Sequence, residues 1–345
     1  VLADNRIALD AGWNMDMLVL ELQALRTDGF DLSLAGFTLD EIGALTKPTD
    51  ERDPDDAPPL GHVRCAVGEV WALGPHRLIV GDATDPLVLE EVLGSAQAHM
   101  IWTDPPYNVA YSGKAGTILN DAMANVDFGA FLEASFRAMH QWLQPGGAVY
   151  VAHADTGGLQ FRVAFELAGF KLSGCIVWRK DALVLGRSDY QWQHEPILYG
   201  WKPGARHRWY GGRKQTTVMD LGEGSPFQRM EDGRWQVTLG DRVLIIDGAA
   251  VVEELVPSVM REPRPKRSEY HPTMKPVALV ERMLRHNARA GDTVLDPFGG
   301  SGSTLIAADR LGMRARLVEL DPAYATVIVE RWERWSGLSA EVVRG

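Results

Sequence analysis

Apolar residues in the first 45 positions recur at helical spacing. Met15, Leu18, Leu22 and Leu25 share one face of a helix, and Phe37, Leu39, Ile42 and Leu45 predict a second, shorter one. A charged, proline-rich stretch, TKPTDERDPDDAPPLG (46–61), then breaks the pattern and reads as a linker. From residue 67 the period shortens. VGEVWALGPHRLIVGDA predicts two strands around Gly74-Pro75, ending at Gly81-Asp82, and DPLVLEEVLG (85–94) a short helix with Asp85 as its N-cap. HMIWTDPPY (99–107) predicts a buried strand halted by two prolines. A helix over 128–143 follows, closed by Pro145-Gly146-Gly147, then a strand (148–154), a helix (157–168) and a strand (171–180).

Residues 203–262 lose this rhythm. Glycine-rich turns and short alternating runs such as RWQVTLGDRVLIIDG (234–248) predict a small β-rich insertion. The rhythm returns with a helix from 276 to about 289, a strand TVLDPF (293–298), a glycine-rich turn, a helix (304–312), a strand (315–321) and a closing helix after Pro322. Strands alternating with helices predict an α/β fold, a parallel-type sheet with helices on both faces. No internal repeat is visible.

Composition narrows this little. The 345 residues are 46% hydrophobic and 23% charged, which excludes a disordered chain, a collagen-like repeat and a disulfide scaffold. Cys65 and Cys175 are too few for a staple framework or a zinc site, so a reducing, cytoplasmic compartment is expected. No apolar run approaches the roughly 18 residues of a membrane span, so no membrane association is expected. No basic segment followed by an apolar one opens the chain, and the first residue, Val1, suggests a trimmed chain or a fragment.

Charge changes the picture more. The net −11 is concentrated in residues 1–61, where thirteen acids face four bases. Residues 199–216 hold Lys202, Arg206, Arg208, Arg213 and Lys214 with no acid. Residues 261–275 add Arg261, Arg264, Lys266, Arg267 and Lys275 against two glutamates. On charge alone either run reads as a solvated loop; the interleaved Trp201, Trp209 and Tyr210 shift the reading towards nucleic acid.

Two motifs carry candidate chemistry. Asp104-Pro105-Pro106-Tyr107 closes an apolar strand, and open α/β sheets bind ligands at that edge. Successive prolines fix φ and remove backbone donors, leaving rigid carbonyls beside a carboxylate: a pair of acceptors for an amino group. A tyrosine three residues on can stack on a heterocycle. The second motif is Asp296-Pro297-Phe298-Gly299-Gly300-Ser301-Gly302-Ser303-Thr304. Its glycines allow close backbone approach, and the helix that follows offers free N–H groups. No lysine follows the last glycine, which excludes a Walker A loop, and the glycine spacing is not that of dinucleotide binders. The next strand ends at Glu319-Leu320-Asp321, where an acid reaches ribose hydroxyls. The pocket suits a nucleoside with an amino-acid-like tail better than a pyrophosphate.

Together these motifs resemble the S-adenosylmethionine-dependent amino-methyltransferases of DNA, which modify adenine N6 or cytosine N4. The motif order resembles their β-group, with a target-recognition insertion between the two. His271-Pro272-Thr273-Met274-Lys275-Pro276 and His194-Glu195-Pro196-Ile197-Leu198-Tyr199 match further family elements, and the similarity covers 62–345. The resemblance implies a Rossmann-like methyltransferase sheet, with S-adenosylmethionine as cofactor and double-stranded DNA as partner, in a nucleoid-associated enzyme. It implies that Asp104 and the Pro105 carbonyl, fixed by Pro106, accept from the target amine and that Tyr107 stacks on an extruded base. Asp296 and the turn at 298–302, with Ser303 and Thr304 beside it, would hold the methionine end. Glu319 would take the ribose, Asp82 would face the adenine, and Thr273 and Lys275 would line the cofactor site. Lys202, Arg206, Arg208, Arg213, Lys214, Arg264, Lys266 and Arg267 would contact DNA.

The expected organisation is 1–57 a helical remnant and acidic linker, 58–202 a catalytic half, 203–262 the recognition insertion and 263–345 a cofactor half. The opening VLADNRIALDAGWNMDMLVLELQAL resembles the helical tail of ParB-like domains, without the strands that precede such a tail. Carbon-5 methylation is disfavoured because neither cysteine adjoins a proline. Asp rather than Ser at the first motif position favours adenine N6 over cytosine N4. A non-catalytic ParB-like DNA-binding module, RNA or protein amine methylation, and a homodimer stay open.

Overall fold

A computed structural model describes residues 52–110, 112–113, 116–117, 119–184, 189–213, 215, 217–220, 227–229, 235–239, 242–246 and 274–344; for 112–117, 181–184 and 218–246 it describes backbone only. The chain divides into two units, Val1–Asp53 and Pro54–Gly345. The helices expected before residue 46 lie outside the described residues.

The second unit is built on one large sheet. Its strands are β1 (Val70–Leu73), β2 (His76–Val80), β3 (Ala98–Thr103), β6 (Leu143–Ala152), β7 (Lys171–Val184), β8 (Trp192–Trp201), β9 (Val218–Asp220), β13 (Thr293–Asp296), β14 (Arg314–Glu319) and β15 (Glu341–Arg344). Across the sheet they run β15-β1-β2-β14-β13-β3-β6-β8-β7-β9. The block β2, β14, β13, β3 and β6 is parallel throughout. A hairpin, β4 (Ser112–Gly113) with β5 (Gly116–Thr117), stands apart, as does a three-stranded sheet of β10 (Phe227–Arg229), β11 (Trp235–Leu239) and β12 (Arg242–Ile246).

Helices cover both faces. On one side α1 (Pro86–Leu93), α2 (Asn125–Trp142) and α3 (Gly158–Leu167) bury Leu89, Phe128, Phe136, Phe161 and Phe165 against Ile101 and Val149. On the other, α4 (Val277–Asn287), α5 (Ser303–Arg310) and α6 (Pro322–Ser336) bury Met283, Leu284, Ile306, Ile328 and Trp332 against Met100, Trp102 and Tyr150. Strands covered twice read as near-continuous apolar runs, and every residue of TVLD in β13 is accordingly buried. Local signals fix the helix starts. Asp85 accepts from Leu87 N at 2.9 Å and Asp321 from Ala323 N at 2.8 Å, each ahead of a proline in the first turn. This is the Rossmann-like, doubly covered sheet expected.

Connectivity places the ligand crevice. From β13 the chain crosses through α5 to β14 on one side; from β3 it crosses through α2 to β6 on the other. Since β13 and β3 are neighbours, their C-terminal tips flank the point where the winding reverses, where open α/β sheets bind ligands.

Three features depart from the sequence reading. Pro145-Gly146-Gly147 does not close a helix ahead of the strand but lies inside β6, where Gly146 N donates to Lys202 O at 2.8 Å. β15 has no buried position and no apolar alternation; it is an edge strand paired antiparallel with β1. β9, from the expected insertion, joins the main sheet parallel to β7. Among the described residues no helix is long and apolar enough to cross a membrane.

Candidate active site

Both chemical motifs sit at neighbouring strand tips. Thr103, the last residue of β3, donates from Oγ1 to Asp296 Oδ1, the last residue of β13, at 3.0 Å. Asp104 therefore begins where the glycine turn begins.

Asp104 is partly buried, with both carboxylate oxygens engaged. Tyr107 OH donates to Oδ1, and Lys275 Nζ lies 2.6 Å from Oδ2. Lys275, only 5% exposed, also reaches Glu195 Oε2 at 3.1 Å, and Lys180 completes the cluster on Glu195 Oε1. Burial pushes the Asp104 pKa up, and the Lys275 ammonium opposes it. Glu195 shows the opposite balance: burial would raise it, but Lys275 and Lys180 overcome that and hold it at about 2. For Lys275 itself, burial would favour the neutral amine, yet Asp104 and Glu195 keep its pKa above the ordinary lysine value. The Tyr107 ring stands edge-on to Phe161, with centroids 6.4 Å apart, and Lys275 Nζ lies 5.3 Å from its centroid. Pro105 is buried and Pro106 partly so.

The chain after Tyr107 is cinched by Asp121, which is 2% exposed. It accepts from Tyr107 N at 3.0 Å and Val109 N at 3.3 Å, while Asn108 exchanges hydrogen bonds with the Met123 backbone at 2.6 and 3.0 Å. Asn108 itself has φ 58°, a left-handed conformation that asparagine tolerates.

Around the glycine turn, Asp296 is buried and accepts from Thr103, from Thr304 Oγ1 at 2.5 Å and from Phe298 N at 3.1 Å. Burial pushes its pKa up to about 7. Glu319, at the tip of β14, accepts from Gly300 N at 2.7 Å and Asp321 N at 2.9 Å, and burial raises it to about 7 as well. Gly302 (φ 85°) caps α5 without a side chain, so the first N–H groups of α5, at Ser303 and Thr304, have no intrahelical acceptor. A Cβ at Gly299 would stand 2.9 Å from the Ile328 Cδ1 methyl, so the turn packs closely on α6 there. Phe298 packs edge-on to Phe131 at 5.8 Å. These groups fit S-adenosylmethionine: two burial-strained carboxylates for an ammonium and ribose hydroxyls, and a helix start for a carboxylate.

Other predicted residues fall elsewhere. Asp82 lies at the same edge but is exposed and turned onto Thr84, accepting from its N at 2.9 Å and Oγ1 at 2.8 Å. Lys202, Arg206 and Arg208 are not brought to the site. Gly146 ties this segment to the start of β6, the opposite end of the parallel strands: Lys202 N donates to Gly147 O at 3.0 Å and Arg208 N to Gly146 O at 3.2 Å. There Lys202 Nζ donates to His140 O at 2.7 Å and Arg208 pairs with Asp292 at 2.9 Å. Arg213 is exposed on the approach to β9. Lys214, Arg264, Lys266, Arg267 and Thr273 lie outside the described residues.

Several described residues at the site carried no predicted role, Glu195, Asp121 and Arg331 among them. Glu195 was visible only as part of a strand motif. Asp121 had no signal beyond its place ahead of a helix. Arg331, on α6, is 2% exposed and braces the glycine turn, donating to Ser301 O at 2.8 Å and to Pro54 O at 2.7 Å.

Comparison with known proteins identifies the family. A model of the N6/N4 DNA methylase family matches residues 98–330, and a ParB-methyltransferase HTH domain model matches residues 16–66. The chain is 27% identical over 246 residues to the type II methyltransferase M2.DpnII of Streptococcus pneumoniae, covering 68% of this chain and 82% of that protein. It is 24% identical over 261 residues to M2.LlaDCHI of Lactococcus lactis subsp. cremoris, covering 72% and 86%. Among solved structures it is similar to a DNA modification methylase of Thermus thermophilus complexed with S-adenosyl-L-methionine, at 26% identity and a TM-score of 0.48, over 75% of this chain and 93% of that one. The fold and the two motifs define a nucleoside-cofactor methyltransferase. With the family model spanning most of the chain, it belongs to the S-adenosylmethionine-dependent DNA methyltransferases of the N6-adenine/N4-cytosine family, with an N-terminal ParB-like HTH segment.

Proposed function

We propose that this chain transfers a methyl group to adenine N6 of a base extruded from double-stranded DNA. The observation that carries the reading is Asp104, a carboxylate at the tip of β3, beside the glycine turn that begins at the adjacent tip of β13. A target nitrogen held at the first would face a methyl donor held at the second, which is catalysis by alignment. The amine cannot be reached inside the duplex, so the base leaves its stack.

Asp104 and the Pro105 carbonyl accept the two amine hydrogens, concentrating lone-pair character on nitrogen, and Tyr107 forms one wall of the base slot. Asp296, Glu319 and the start of α5 would hold S-adenosylmethionine, which supplies an activated methyl group on a sulfonium. After transfer the nitrogen must lose a proton. Glu195 is held ionised and Lys275 protonated, so neither takes it; Asp104, its basicity raised by burial, is the group placed to do so. Aspartate at the first motif position supports adenine over cytosine. Lys202, Arg206 and Arg208 sit at the opposite end of the strands, which leaves Arg213, Lys214, Arg264, Lys266 and Arg267 of the two basic runs as the candidates for phosphate contacts near the target base.

The test is methylation of a mixed DNA substrate followed by digestion to nucleosides and mass analysis, with the modified sites mapped. N6-methyladenine is expected. 4-Methylcytosine would move the assignment to cytosine N4, and no modified nucleoside would remove it.

A further inference from the structure

Excluding Lys275 and Glu195 as proton acceptors leaves two charges in the base slot, one buried and one partly buried, without a task. Lys275 was expected on the cofactor side; its Nζ instead touches Asp104. An ammonium has three donors. Two are directed to Asp104 Oδ2 at 2.6 Å and Glu195 Oε2 at 3.1 Å, and the charge hangs over Tyr107, the wall of the slot. At the place where the target amine must bind, the protein thus presents an acceptor and a donor side by side.

That pair has the shape of a nucleobase edge. On adenine and cytosine the exocyclic amine, a donor, adjoins a ring nitrogen, an acceptor. Two nitrogens on one carbon, at roughly 1.33 Å and about 120°, stand about 2.3 Å apart. The 2.6 Å between Asp104 Oδ2 and Lys275 Nζ is close to that spacing. We propose that Lys275 donates a hydrogen bond to the ring nitrogen beside the target amine, and that Glu195 is the positioning residue that aims it. Asp104 and Lys275 then read the base edge together, as its Watson–Crick partner does in the duplex. Thymine and guanine present the opposite pair, an oxygen against Asp104 and an N–H against the ammonium, and are repelled at both points. Adenine and cytosine both satisfy the pair, so it selects an amino base without choosing between N6 and N4. Glu195 suits the task because it stays ionised; Lys180 on its far oxygen keeps it from turning away.

The inference rests on the base-slot reading above, and the test separates the two. Duplexes carrying the mapped site are made with adenine or with 1-deazaadenine, whose ring N1 is a C–H, at the target position. The full chain should methylate the deaza duplex about tenfold to a hundredfold less efficiently in kcat/KM, the loss expected for one hydrogen bond from a charged donor. Lys275→Met should be slower on adenine yet lose most of that discrimination. Glu195→Gln should reduce it too, a change that a merely structural role would not produce. If mass analysis returns 4-methylcytosine, 3-deazacytosine replaces the purine pair. Equal rates on the two duplexes by the unaltered protein, or an unchanged ratio in Lys275→Met, would overturn the inference while leaving the base slot standing. Should Lys275→Met not fold, the ratio measured on the unaltered protein decides alone. Failure to methylate any DNA would remove the base slot, and this inference with it.

Discussion

The parallel strands of the large sheet have two ends, and their charges are arranged on opposite principles. Where the strands finish stand Asp104, Glu195, Asp296 and Glu319, partly or fully buried, against Lys180 and Lys275. Where they begin stand Lys202, Arg206, Arg208, Arg314 and Arg316, with Asp292 pairing both Arg208 and His99. The starting end is cationic: Arg316 donates to Pro75 O at 2.9 Å, yet burial and the neighbouring Arg77 and Arg314 hold its pKa down to about 10. At the finishing end the strained groups are acids. Burial pushes Asp296 and Glu319 to about 7, far above ordinary carboxylates; on the reading proposed above, the cofactor's ammonium and ribose hydroxyls would complete them. A run of like charge in a sequence therefore says little about function until strand pairing says which end it occupies.

The sharpest way to break this comparison is at Asp104. Asp104→Ala should lower kcat for methyl transfer by about a hundredfold to a thousandfold, the range for removing a preorganised group at the reacting centre. The heat of S-adenosylmethionine binding should persist, because the glycine turn is untouched. Radiolabelled transfer and calorimetry read the two quantities. An unaltered rate would sink the assignment of Asp104 as amine acceptor.

The strained carboxylates make the next prediction. Acids whose folded pKa lies above the unfolded value lose stability as pH rises, because the unfolded chain ionises first. The free protein should therefore lose melting temperature from the ordinary carboxylate range up to about 7, by the contributions of Asp296 and Glu319, and level off above it. Ribose hydroxyls and an ammonium favour the ionised forms, so S-adenosylmethionine should bind more tightly as pH rises from about 6 to 8. Glu319→Gln should weaken binding about tenfold and flatten part of that dependence. Calorimetric titration at pH 6, 7 and 8 checks both, and affinity falling with pH would contradict the site.

Much of the finishing end was legible in the chain. An apolar run stopped by prolines, or by aspartate and glycines, marks a strand tip from local chemistry alone, and both motifs are of that kind. The N-caps Asp85 and Asp321 were equally local. What escaped depends on pairing across sequence distance. Glu195 meets Lys275 only because β8 lies antiparallel beside β6, within reach of the segment leading into α4. β15 is held at the sheet edge by backbone pairing to β1, with no buried face to leave a periodic trace. Arg331, in the run ERWERW, reads as one surface charge among several, yet it is buried against the glycine turn.

Arg331 offers a smaller effect, on stability rather than chemistry. Arg331→Met keeps an unbranched stem but removes the guanidinium, and with it the charged hydrogen bonds to the Ser301 and Pro54 carbonyls. At about 2 kcal/mol, this should lower the melting temperature by roughly 4–8 °C. S-adenosylmethionine should restore part of the loss, since bound ligand holds the same turn. Thermal unfolding with and without the ligand tests this, and an unchanged melting temperature would show that the turn holds without the brace.

The smallest effect is expected at the strands' starting end, and its smallness is informative. Arg206 is exposed, and its segment is tied through Gly146 to the start of β6, a strand's length from Asp104. On a duplex just long enough to hold the recognition site, Arg206→Ala should leave kcat/KM within about twofold. The salt dependence of DNA binding should keep its slope, since a lost phosphate contact would lower it by about one. Neutralising Arg264 or Lys266 should weaken DNA binding and reduce that slope. The contrast decides between two sources of phosphate contact. If Arg206→Ala weakened short-duplex binding as much as Arg264→Ala, DNA would have to wrap around both ends of the sheet, and the division of labour between them would be wrong.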